Sequence, residues 1–197
     1  WWYQYSPDID QQMAWRTDVM AGLGQDWFRL PVTYSTEERR QHRIEAGADG
    51  VFLVDVRTGS RRRIERPTVG GWSATDGLES VHPDELPRSE ADLDELIPID
   101  EREGAALVAS GKAELAHRLL ASHGEQLYPT ASVASPFWLC YQLWGFEGLM
   151  EAVVDRPELV RYACERYCRQ QLDAVETCAL LGARGVWIEE CLADMLS

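Results

Sequence analysis

The sequence predicts an α/β protein with parallel strands. Two observations carry that prediction. The strand-like runs 127–133 and 185–189 bracket two long helical segments, and crossovers of that length join parallel strands. Composition is that of a packed globular chain: of 197 residues, 45% are apolar and 26% charged, which excludes a disordered tail or a fibrous repeat. The rhythm suits either an α/β barrel or a doubly wound sheet.

The elements follow in order. Trp1 to Tyr5 reads as the end of a strand. Asp8 to Leu23 is a helix, signalled by Ser6-Pro7, carried by Ile9, Met13, Val19, Met20 and Leu23, and stopped by Gly24. Residues 27–32 are a short strand. Ser35 opens a polar helix as its cap, with Glu38 at the third helical position. Residues 51–56 and 61–64, joined through Thr58-Gly59, form an antiparallel hairpin. Gly70 to Trp72 is loop. Residues 76–103 hold eleven acids against Arg88 and Arg102, with prolines at 83, 87 and 98, and read as an irregular surface excursion.

Order returns in a helix over 101–122 and the strand 127–133, which Ser135-Pro136 breaks. Residues 137–154 are helical. Asp155 caps the next helix, with Pro157 in its first turn. Val160, Cys164, Tyr167, Cys168, Leu172, Val175 and Cys178 then form a stripe at helical spacing that Gly182 ends. Gly185 to Glu189 is a strand of the buried type. No repeat of fixed period is present. The chain is expected to fold as one domain over 1–197, with the hairpin 51–66 and the excursion 76–103 as insertions.

Lys and Arg number 19 and Asp and Glu 33, for a net charge of −14, so nucleic acid is not expected as a partner. No apolar run approaches the ~20 residues of a membrane span. Five cysteines, all in the last third and in helical surroundings, fit reduced thiols, and no secretory pattern opens the chain. A cytoplasmic location is therefore expected.

Glu189-Glu190, followed by Cys191 and Asp194, is the best-defined candidate site. Two acids end an apolar strand, where α/β barrels carry their chemistry. Acids crowded there suit proton transfer or metal ligation, and strand alternation lets only one of Glu189 and Glu190 point inward. The plainer alternative is a helix cap and an arginine partner. Ser135 ends another strand and serves equally as a ligand contact or a cap, whereas Trp138 reads as core. Cys164 and Cys168, four apart on one helical face, could supply half a zinc site, but core packing is the stronger reading. Arg57, Arg61, Arg62, Arg63 and Arg66 crowd the hairpin and read first as a solvated edge. Neither a phosphate-binding glycine loop nor a Gly-x-Ser-x-Gly elbow occurs.

Three segments in sequence, 143–150 (Leu-Trp-Gly-Phe-Glu-Gly-Leu-Met), 155–160 (Asp-Arg-Pro-Glu-Leu-Val) and 181–197 (beginning Leu-Gly-Ala-Arg-Gly-Val-Trp-Ile-Glu-Glu), resemble the middle of the uroporphyrinogen decarboxylase superfamily. Residues 135–197 carry the likeness. It implies a TIM (β/α)8 barrel of the uroporphyrinogen decarboxylase type, of which this chain covers only part, since barrels take ~250 residues.

The resemblance also implies an enzyme. The strand end Ile188-Glu189-Glu190-Cys191 departs from the Phe-Asp-Ser-Trp pattern of the decarboxylase. A methyltransferase-type member, acting on a corrinoid-linked or small one-carbon substrate, is therefore expected first. A porphyrinogen decarboxylase and a non-catalytic small-molecule-binding relative are the alternatives. Glu189 and Glu190 are the candidate catalytic residues, and Ser135, Asp194 and Tyr3 the candidate substrate contacts. Zinc would accompany a methyltransferase, through His-x-Cys and Cys ligands that the family carries after this point, and no cofactor a decarboxylase. The partners implied are a tetrapyrrole or corrinoid substrate, a corrinoid protein and a second copy in a homodimer.

Overall fold

The computed structural model describes residues 1–66, 86–99 and 104–190. These fall into two compact units. The first comprises residues 1–66, 104–131 and 178–185, and the second residues 86–99, 132–177 and 186–190.

In the first unit, Trp2–Tyr5 forms a 3-10 turn rather than a strand end. Helix α1 (Ile9–Leu23) starts where Asp8 accepts hydrogen bonds from the N–H groups of Asp10 and Gln11, and ends at Gly24 in the left-handed region (φ 61°). Strand β1 (Trp27–Arg29) follows. Helix α2 (Thr36–Gln41) carries the expected capping box. Glu38 N–H donates to Ser35 Oγ, and Ser35 N–H donates to the Glu38 carboxylate.

Strands β2 (His42–Gly47), β3 (Gly50–Asp55) and β4 (Arg61–Ile64) form an antiparallel meander. The hairpin is the one expected. Strand β2 carries few apolar residues, and its strand identity comes from pairing with the apolar β3. The arginine-rich β4 is an exposed edge, where Arg61 pairs with Glu45 and lies over the Phe52 ring.

Helices α4 (Gly104–Ala109) and α5 (Glu114–His123) replace the single helix expected over 101–122. The break falls at Gly111, with φ 84°, where a Cβ would collide with the Thr36 side chain. The main core of this unit joins Ile9, Met20, Phe28, Leu30, Leu115, Leu119 and Leu181.

The second unit is built on helices. The two helices α6 (Pro136–Asp155) and α7 (Pro157–Leu180) form the expected pair. Asp155 is the last residue of α6 and not the cap of α7. Within α6, Gly145 at φ 69° kinks the helix.

Helix α3 (Glu90–Leu96), with a Ser89–Asp92 capping box, lies inside the stretch read as a surface excursion. Its Leu93 and the following Ile97 are fully buried against Trp144, Leu149, Ala152, Leu159 and Val160. Arg166 of α7 holds this helix end. Its guanidinium donates to the Ile97 carbonyl at 2.7 Å and pairs with Asp94 at 2.5 Å. The segments 76–85 and 100–103 of that excursion, and the Gly70–Trp72 loop, lie outside the described residues.

Strands β5 (Tyr128–Ala134) and β6 (Gly185–Glu189) complete a second sheet in the order β1-β5-β6, with β1 and β5 parallel from Trp27↔Tyr128 to Arg29↔Thr130. The expected parallel character is present. The (β/α)8 barrel is not. Among the described residues there are six strands, in two separate three-stranded sheets, one parallel and one antiparallel. A barrel needs a closed circle of parallel strands. Here residues 42–64 are spent on an antiparallel meander, and β1 and β6 remain sheet edges.

Strand β6 is also not buried, since Val186, Trp187 and Ile188 are all exposed. Apolar composition predicts burial on both faces only for a strand with covered neighbours, and β6 is an edge. Among the described residues no helix is long and apolar enough to cross a membrane.

Candidate functional site

Two adjacent strand ends in the second unit meet through side chains. Strand β5 runs into α6 at Ser135-Pro136, a serine cap followed by a proline suited to the first helical position. Ser135 is buried, and its Oγ accepts the Trp138 N–H at 3.0 Å. The same hydroxyl donates to the carboxylate of Glu190, the residue following β6. A backbone bond locks the register, with Ser135 N–H donating to the Glu189 carbonyl at 3.1 Å. A hydroxyl and a carboxylate are thus held at the C-terminal ends of neighbouring strands, beside the N-terminus of α6, whose free N–H groups favour negative charge there.

A thiol pair lies close by. Cys140, one turn into α6, and Cys164 of α7 place their sulfurs 3.5 Å apart. The contact with Cys164 and burial push the Cys140 thiol up, with the charge of Glu190 adding to the shift. The hydrogen bond from Cys140 pulls Cys164 down, against its own burial and the Glu190 charge. Burial and these two sulfurs push Tyr167 up to about 12.

Of the residues singled out from sequence, Ser135 and Glu190 come together. Glu189 joins them through its backbone carbonyl, and its side chain is exposed. Tyr3 belongs to the first unit, where it stacks on Trp2 with ring centroids 4.0 Å apart. Asp194 and Cys191 lie outside the described residues. Ser135 acts as cap and as polar contact at once, so the two readings of it are not exclusive. Trp138 is half-buried and stacks on Tyr141.

Cys164 pairs across helices with Cys140 rather than along its helix with Cys168, which is exposed. Sequence spacing could not reveal this, because the two cysteines are 24 residues apart and only helix packing brings them together.

The described residues do not form a zinc centre. Among them no group of three or more His, Cys, Asp and Glu side chains could hold a metal ion, and the two neighbouring free thiols share a hydrogen bond. No family model matches this sequence, and no curated protein matches it either.

Proposed function

We propose that this protein is a cytoplasmic, methyltransferase-type member of the uroporphyrinogen decarboxylase superfamily, acting on a corrinoid-linked or small one-carbon substrate. The observation that supports the reading is the Ser135–Glu190 hydrogen bond across the C-terminal ends of two neighbouring strands. In open α/β sheets ligands bind outside those ends. The segments that resemble the superfamily include α6 and the Glu190 strand end.

In this reading Glu190 is the proton acceptor. An acceptor thiol loses its proton to the carboxylate and its sulfur electron pair forms the bond to the methyl carbon, while the bond from that carbon to the donor substrate breaks and its electron pair leaves with the donor. Ser135, fixed by the Trp138 N–H, orients the carboxylate by donating to one of its oxygens and leaves further lone pairs for the incoming proton.

The test is methyl transfer from methylcobalamin to a small thiol. Glu190→Gln keeps an oxygen for the Ser135 hydroxyl and removes the base, so turnover should fall ~100-fold or more. Unchanged turnover in that variant, no methyl transfer by the unaltered protein, or decarboxylation of uroporphyrinogen instead would overturn the reading.

A further inference from the structure

The first unit holds a cavity of about 160 Å³ between α1, β1 and α5, with Trp15, Arg16, Met20, Trp27, Phe28 and Arg29 among its walls. Two cations line it together. Arg16 lies against Trp15, its guanidinium carbon 5.5 Å from the ring centroid, and its Nε is buried with no hydrogen-bond partner. Among the described residues neither Arg16 nor Arg29 forms an ion pair, although ten ion pairs are formed elsewhere in the chain.

That is unexpected in a chain with 33 acids and 19 basic residues. Any Asp or Glu among so many could have been set beside the pair. A buried guanidinium donor without an acceptor is costly, and two like charges facing one cavity add to the cost. Burial, and then the charge of Arg29, hold the Arg16 guanidinium below its usual range. An anion entering the cavity would relieve both.

Apart from Gln25, the remaining wall is apolar and aromatic, which suits an anion with an apolar body. The volume matches the ~150 Å³ that takes up one benzene ring in an apolar core. Guanidinium forks suit the two oxygens of a carboxylate.

We propose that this cavity binds a monocyclic aromatic carboxylate, its ring against the indoles and Phe28 and its carboxylate held by Arg16 and Arg29. The site is independent of the Ser135–Glu190 reading, and its test needs no activity.

The protein is titrated calorimetrically with benzoate, with benzamide, which has the same shape and no charge, and with inorganic phosphate. Benzoate should bind, and the other two should bind at least about tenfold more weakly, as loss of a charge-assisted contact requires. Arg29→Gln, at an exposed position, should weaken benzoate about tenfold, and Arg16→Met should do the same while keeping an apolar stem over Trp15. Equal binding of benzoate and benzamide, phosphate binding as tight as benzoate, no benzoate binding, or unchanged affinity in Arg29→Gln would each overturn the proposal. The comparison of ligands on the unaltered protein stands even if Arg16→Met fails to fold.

Discussion

Strands β5 and β6 are neighbours in one sheet, and each is followed by a residue of the Ser135–Glu190 contact. Their surroundings are opposite. In β5 every second residue is buried, through Pro129, Ala131 and Val133. In β6 Trp187 is 70% exposed and Ile188 64%. By composition β6 is the more hydrophobic of the two. Composition alone does not decide burial: among the described residues β5 has a strand on each side and β6 only one. Apolar residues say what a strand gains by burial, and the neighbours decide whether it is buried.

Two tryptophans give the sharpest form of this comparison. Trp144 on α6 is 2% exposed and its Nε1 donates to the Pro87 carbonyl, whereas Trp187 on β6 faces water. Trp144→Ala should cost ~3–5 kcal/mol of folding stability, and Trp187→Ala less than about 0.5 kcal/mol, measured as urea midpoints. Equal losses would mean that β6 is covered in solution.

The next effect concerns the buried cap. Ser135→Ala removes both the bond to the Trp138 N–H and the donor to Glu190, and should cost ~1–2 kcal/mol by the same measurement. A neutral result would show that the contact adds nothing to the strand ends.

The smallest effect belongs to the exposed cap of α2. The Ser35 backbone and hydroxyl bonds, aided by Lys112, hold the Glu38 carboxyl below its usual range. A carboxyl whose pKa is lowered on folding stabilises the protein above its unfolded value, near ~4.3, and loses that contribution as pH falls through the lower folded value. Glu38→Gln should therefore reduce stability slightly at neutral pH and flatten its decline on acidification below about pH 4, followed by denaturant titration at each pH. An unchanged acid profile would show that the exposed capping box is inert.

Local signals were legible where one residue type dictates a backbone geometry. Gly24 ends α1, Ser35 and Glu38 start α2, and Ser135-Pro136 turns β5 into α6. Each depends on hydrogen bonds between residues close in sequence. Helix α3 escaped notice because its acids mask Leu93 and Ile97, whose burial requires Trp144 and Leu149 from far along the chain. Strand β2 escaped notice because its pairing partner, and not its own composition, makes it a strand. In the candidate site the Ser135 cap was readable, but the reach of its hydroxyl to Glu190, 55 residues away, was not.

Helices α1, α2, α6 and α7, the caps at Ser35 and Ser135, the stop at Gly24 and the parallel sense of β5 and β6 were determined by the sequence alone, since they follow from periodicity, capping chemistry and crossover length. Tertiary structure decided that the strands form two open sheets rather than a barrel, that β6 is exposed, that Cys140 meets Cys164, and that Arg16 and Arg29 face one cavity without an acid. Those features depend on contacts between distant segments, whose energies outweigh any local preference and leave no periodic trace in the chain.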